Sequence, residues 1–292
     1  MSDEDALLSA IAAQPAEDTP RLVYADWLDE HDQPIRAEFI RLQIDIADKQ
    51  ERETLSWRFF SMQYPALVER LSELLVKHRQ ELLGSLAGLP FATDVGFERG
   101  FASQIKLTVN EFLVHAATLD AARPVVSVAV SQVAARLHEF LNSRFLRCVT
   151  SISLYSPQIV ENRPAGPLAM FGPINLLTRL ESLDLSGCGV EDADMDHFRE
   201  WLVPSVKELT LANNAITNVG IVAFMSSEWP RTLRDLHLNR NPISDLGAMA
   251  LAGAWPVDSP LDCLTLRHTN IGPRGHEALL ARFGRKVYLS FE

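Results

Sequence analysis

The sequence predicts an α/β solenoid, a curved parallel sheet flanked by helices, preceded by a small all-α N-terminal domain. Three observations carry this expectation. Residues 180–271 hold four in-register copies of one leucine pattern. Counted at Leu183, Leu209, Leu236 and Leu264, the copies stand 26, 27 and 28 residues apart. Residues 1–96 hold no such repeat and show helical spacing of apolar side chains instead. The expected domains are therefore 1–96, helical, and 97–292, the solenoid, degenerate at its start.

The copies read LESLDLSGCGV (180–190), VKELTLANNAI (206–216), LRDLHLNRNPI (233–243) and LDCLTLRHTNI (261–271). Alternating leucines mark a short strand with one buried face. The polar position before the last anchor is Cys188, Asn214 or Asn241, where an inward side chain satisfies backbone groups of the turn; Thr269 departs from this pattern. Gly220, Gly247 and Gly275 follow, each opening an apolar run such as GAMALAGAW. Trp201, Trp229 and Trp255 recur near the ends of those runs and are expected in the core. Weaker units precede: VTSISLYSPQI (149–159), with Pro157 at the polar position, VVSVAVSQV (125–133), and GFASQIKLTV (100–109) as a capping strand. About six parallel strands are expected, with residues 285–292 adding an edge strand and residues 156–167 looping out.

This pattern resembles the leucine-rich repeat family, in its longer ribonuclease-inhibitor-like type. The resemblance implies helices on the convex side and a concave face formed by the strands.

In the first hundred residues, Leu7, Leu8 and Ile11 share one helical face, and Thr19–Pro20 reads as an N-cap followed by a first-turn proline. Pro34 opens a third helix, and residues 66–86 read as one long amphipathic fourth. Within RLVYADWLDEHD (21–32), Val23, Tyr24, Trp27 and Leu28 are expected to be buried and the acids solvated, with Asp26 as the one acid turned inward. Arg21, Asp26, Trp27, Arg36, Glu38 and Arg41 are the expected structural network, with Asp26 pairing to Arg36 or Arg41. The stretch 18–43 also resembles the repeat-companion domain found before leucine-rich repeats in planctomycete-type bacterial proteins. That resemblance implies co-occurrence with repeats and an interaction role, and no assigned activity.

The chain carries a formal net charge of -11, and residues 1–50 hold twelve acids against four Lys/Arg. Such an acidic head argues against nucleic acid or an anionic membrane as partner. No apolar run reaches the roughly 18 residues of a membrane span. The three cysteines have no metal-ligand spacing, and the first ten residues are acidic where a secretory signal is basic. A cytoplasmic protein is expected. No HExxH motif, phosphate loop or nucleophile elbow is present, so no catalytic, cofactor or metal residue is assigned. Asp26, Asp29, Glu30, His31 and Asp32 invite comparison with a metal site, but their spacing matches no calcium loop.

What remains is the strand face: Tyr155, Ser182, Asp184, Glu208, Thr210, Asp235, His237, Asn239, Thr265 and Arg267. The function expected is a non-enzymatic scaffold binding a protein partner on that face. The alternatives are a regulatory subunit of a bacterial signalling or defence assembly, or a metal-dependent hydrolase using the N-terminal acids.

Overall fold

A computed structural model describes residues 2–14, 17–53, 56–121, 127–132, 136–155, 177–199 and 205–289. The chain divides into two compact units, Met1–Lys106 with His115–Val126, and Leu107–Val114 with Ser127–Glu292. The expected loop at 156–167 and Trp201 lie outside the described residues. Among the described residues no helix is long and apolar enough to cross a membrane.

In the first unit, α1 (Asp3–Ala13), α2 (Thr19–Glu30) and α3 (Pro34–Glu53) pack in sequence, followed by α4 (Trp57–Gln63), α5 (Pro65–Lys77) and α6 (Arg79–Leu83). Helix α1 starts on a reciprocal capping box, in which Asp5 N–H donates to Ser2 Oγ and Ser2 N–H donates to the Asp5 carboxylate. Thr19 is the first helical residue of α2 rather than its cap; Asp18 stands at the cap position, and its carboxylate is taken by Arg99. The expected long fourth helix breaks at His78 (φ −120°, ψ 14°), after which Arg79 donates to backbone carbonyls of Ala92, Thr93 and Val95.

The first unit is also not all helical. Strands β1 (Val95–Glu98) and β2 (Phe101–Thr108) form an antiparallel hairpin joined by Arg99 and Gly100, both at positive φ (48° and 88°). The unit thus runs past residue 96, because the hairpin packs into it: Phe101 joins the core of Ile11, Tyr24, Leu28 and Ile40, and Phe97 packs against Phe39 and Leu74.

The second unit contains a parallel ladder. Strands β3 (Ser127–Ser131), β4 (Ser151–Tyr155), β5 (Ser182–Asp184), β6 (Glu208–Thr210), β7 (Asp235–His237), β8 (Cys263–Leu266) and β9 (Val287–Leu289) each pair with the next in sequence order. These are the six expected strands and the edge strand. Leu183, Leu209, Leu236 and Leu264 lie in register and are buried. Each fully buried leucine contributes about 1.5–3 kcal/mol through removal from water.

Helix α7 (Val109–Ala121) is divided between the units, and α8 (Leu137–Leu141) follows β3. The later repeats return through α9 (Asn218–Met225) and α10 (Trp229–Thr232), α11 (Asp245–Ala254), and α12 (Pro273–Phe283). The repeat starting at Leu180 returns through a 3₁₀ segment, Asp192–Arg199. Trp229 and Trp255 are buried, as expected.

Candidate interaction face

Two ladders of polar side chains align the repeats and so fix the strand face. The expected one uses the Asn positions. Asn241 Oδ1 accepts from Ile216 N–H at 3.1 Å, and its Nδ2 donates to the carbonyls of Leu211 and Leu238 at 2.8 and 3.0 Å. Asn214 repeats this on Val190, Leu185 and Leu211, and Cys188 Sγ donates to Leu154 O at 3.2 Å. Thr269 substitutes with one bond, to Leu266 O.

Sequence reasoning missed the second ladder. Asp192 Oδ1 accepts from Thr217 and Gly220 N–H (2.7 and 2.9 Å). Asn218 Oδ1 does the same for Ser244 and Gly247 (2.9 and 3.0 Å), and Asp245 Oδ1 for Gly272 and Gly275 (2.7 and 2.9 Å). Each side chain supplies acceptors to the first turn of the next repeat's helix, where donors are otherwise orphaned. This explains the three glycines noted in the sequence. A Cβ at Gly220, Gly247 or Gly275 would lie 2.5, 2.7 or 2.6 Å from the accepting oxygen.

The strand residues flanking each buried leucine are half-exposed on the opposite side. Register aligns them into rows. One runs Ser151, Ser182, Glu208, Asp235, Cys263, and the next Ser153, Asp184, Thr210, His237, Thr265. Asn239 and Arg267 lie just beyond, tied by Arg267 N–H donating to Asn239 Oδ1 at 2.8 Å. Tyr155 ends β4 opposite Ser131; its side chain lies outside the described residues. Chemistry is graded along the face, with small serines first and charge concentrated from β5 onward.

Glu208 and Asp235 stand directly opposite each other on neighbouring strands. Like charges so placed repel. Burial first, and the Glu208 charge second, push the Asp235 carboxyl above the usual carboxylate range. Burial and then Asp235 push the Cys263 thiol up. His237 is half-buried; its Nδ1 lies 3.0 Å from Thr265 Oγ1 and its Nε2 3.8 Å from Glu208 Oε1.

Because Asp235 has a raised folded-state pKa, the folded chain holds its proton more tightly than the unfolded chain. The stability from the neutral acid is complete below the ordinary value and is lost as pH rises through the raised one. Asp235→Asn is therefore expected to raise stability near pH 7 by up to about 1 kcal/mol. The gain should shrink as pH falls through the carboxylate range. Paired thermal melts from pH 7 to pH 4 check this, and a constant gap would contradict it.

The N-terminal residues are placed differently from expectation. The inward arc of α2 is Arg21, Tyr24, Ala25 and Leu28, spaced i, i+3, i+4, i+7, so Val23 falls outside it and is 48% exposed. Arg21 is buried because its guanidinium lies over Phe101 (5.8 Å) and Nη1 donates to Glu17 O; burial holds its pKa below the usual arginine range. Trp27 is half-buried, stacked between Tyr24 and His31.

Asp26 does pair with Arg41, at 2.6 Å, but its side chain is 73% exposed rather than inward, and Arg41 also holds Asp29 at 2.7 Å. Arg36 donates to Gln33 and lies over the Tyr24 ring. Glu38 leaves the expected network for Arg70, in a two-pronged contact at 2.6 and 2.7 Å that holds its carboxyl below the usual range. Solvent screens so exposed a pair, so Asp26→Ala is expected to cost less than about 1 kcal/mol in a denaturant titration. A loss several times larger would mean the pair is buried. Among the described residues no group of three or more His, Cys, Asp or Glu side chains is arranged to hold a metal ion.

The ladders, the in-register leucines and the outer helices together define a parallel-stranded α/β solenoid. Residues 177–196, 204–225 and 230–252 match the Leucine Rich repeat family. Among solved structures the chain is similar to an internalin (inlF) from Listeria monocytogenes str. 4b F2365. The identity is 14%, covering 60% of this chain and 50% of that one, with a TM-score of 0.34. The chain thus spans about half the length of that solved chain. No curated protein matches it.

Proposed function

We propose that the chain is a non-enzymatic protein-interaction scaffold that binds its partner on the half-exposed strand face of the repeats. The observation that carries this reading is the like-charge pair of Glu208 and Asp235 in register on that face. Such a pair costs stability where it stands, and proteins keep such costs where function uses the group. Asp184, Glu208 and Asp235 outnumber Arg267 among the charged residues of the face, so the partner segment carries Lys or Arg. Two ladders of hydrogen bonds fix the backbone of successive coils and so the strands that carry these side chains, which lowers the ordering cost of binding. Strand-to-strand spacing of 26 to 28 residues with outer helices supports the ribonuclease-inhibitor-like type of repeat, and the α2–α3 stretch supports a companion domain at the N-terminus.

Affinity capture from the native source, run in parallel with the wild type, Asp184→Arg and Asp235→Arg, tests this. One stoichiometric partner is expected with the wild type, weakened at least about tenfold by either charge reversal. Capture of the same partner equally well by all three would contradict it.

A further inference from the structure

Within the first unit, α3, α5 and β1 border a cleft of about 360 Å³, within the usual size range of small-molecule sites. Its lining is mostly apolar: Ile46, Leu71, Leu75 and Phe97, with the half-exposed indole of Trp57 beside them. Arg79 lines the same cleft and is fixed there. Its Nη2 donates to the carbonyls of Ala92, Thr93 and Val95 at 3.2, 3.1 and 2.8 Å, and its guanidinium lies 5.6 Å from the Phe97 ring centroid.

Neutral carbonyls orient a guanidinium without cancelling its charge. Among the described residues Arg79 has no carboxylate partner, and its Nε and Nη1 make no hydrogen bond. The other arginine of the cleft, Arg99, is different: Asp18 and Glu51 neutralise it. Gln43, which also lines the cleft, has its Oε1 committed to Gly100 N–H; Glu98 lines the cleft too, with its side chain exposed and no ion pair to Arg79. The cleft therefore joins an apolar box to one oriented, unneutralised cation. Carboxylates match a guanidinium in both charge and planar geometry.

We propose that this cleft binds a small apolar carboxylate. Arg79 takes the anionic end, and the hydrocarbon or aromatic body packs against Leu71, Leu75, Phe97 and Trp57. The site belongs to the first unit and does not depend on the proposed scaffold role.

Calorimetric titration of the full chain with 4-phenylbutanoate, and with the uncharged 4-phenylbutan-1-ol, tests the proposal. Saturable one-to-one binding of the carboxylate is expected, with the alcohol weaker by about ten- to hundredfold. Arg79→Gln keeps an amide donor for the carbonyls but removes the charge, and should bring the carboxylate down to the affinity of the alcohol. Leu75→Trp fills the box and should abolish binding of both. Trp57→Ala, at a half-exposed position, should weaken the carboxylate severalfold and stands in if Arg79→Gln does not fold. Absence of saturable binding, equal affinity for acid and alcohol, or binding indifferent to Leu75→Trp or Trp57→Ala would each overturn the assignment.

Discussion

Replacing Gly100 with alanine is expected to destabilise the first unit by about 3–5 kcal/mol. Two costs combine. Gly100 has φ +88°, a left-handed conformation that side-chain-bearing residues adopt only with strain. A Cβ there would also lie 2.4, 2.5 and 2.8 Å from Cγ1, Cα and Cβ of Ile40. The Cα belongs to the backbone of α3, so no rotamer change relieves the contact. Either the turn lifts away, losing the 2.6 Å bond from Gly100 N–H to Gln43 Oε1, or α3 shifts within its core. Gln43→Ala removes only the hydrogen bond and should cost about 1 kcal/mol. Denaturant titration separates the two. A Gly100→Ala variant within 1 kcal/mol of the wild type would mean the hairpin is not seated on α3.

Asn241→Ala is the corresponding lesion in the repeats, with an expected cost of about 2–4 kcal/mol. Asn241 is 2% exposed, and its amide satisfies one N–H and two carbonyls from two successive coils. Truncation leaves Ile216 N–H and Leu238 O without these bonds, while Leu211 O keeps Asn214 Nδ2 as donor. For a chain of this size the melting temperature should fall by about 5–15 °C. Asn241→Cys is informative beside it, since Cys188 fills the same position in an earlier coil with its thiol on Leu154 O and, at 3.8 Å, on Ser186 O. An intermediate loss is expected. A melt unchanged by Asn241→Ala would show that the turn does not depend on its side chain.

The leucine anchors were legible because each strand is short and one-sided. A regular spacing of apolar residues there has one physical solution, and the polar residues between them must share the other face. The Asn positions were legible for the same reason. The second ladder was not, because its acceptors are Asp192, Asn218 and Asp245, and each acts on a coil 25 to 30 residues further on. Only its consequence, the glycines, showed in the pattern. A related feature was half visible. The residue before each Asn position is left-handed, which Gly187 and Asn213 suit but Arg240 and His268 do not.

In the first unit, burial departs from the sequence pattern at α2. A sequence pattern counts charges as exposed and aliphatic residues as buried. Arg21 reverses this by burying its stem and guanidinium against Phe101, which displaces the inward arc of α2 and leaves Val23 outside. Asp26 met the expected partner but not the expected burial. Glu38 found Arg70, 32 residues on, a pairing that no local spacing indicates. The hairpin of β1 and β2 was half read, since β2 fitted a capping strand while β1 is only four residues long.

A partner bound on the strand face of the repeats must lie within crosslinking reach of that face. The most direct measurement is site-specific photo-crosslinking in the native source, with benzoylphenylalanine at Thr210 of the face or at Val222, 59% exposed on α9. One partner is expected to be captured from Thr210, absent from Val222, and lost when Asp235→Arg is added. The same partner captured from Val222 and not from Thr210 would contradict it.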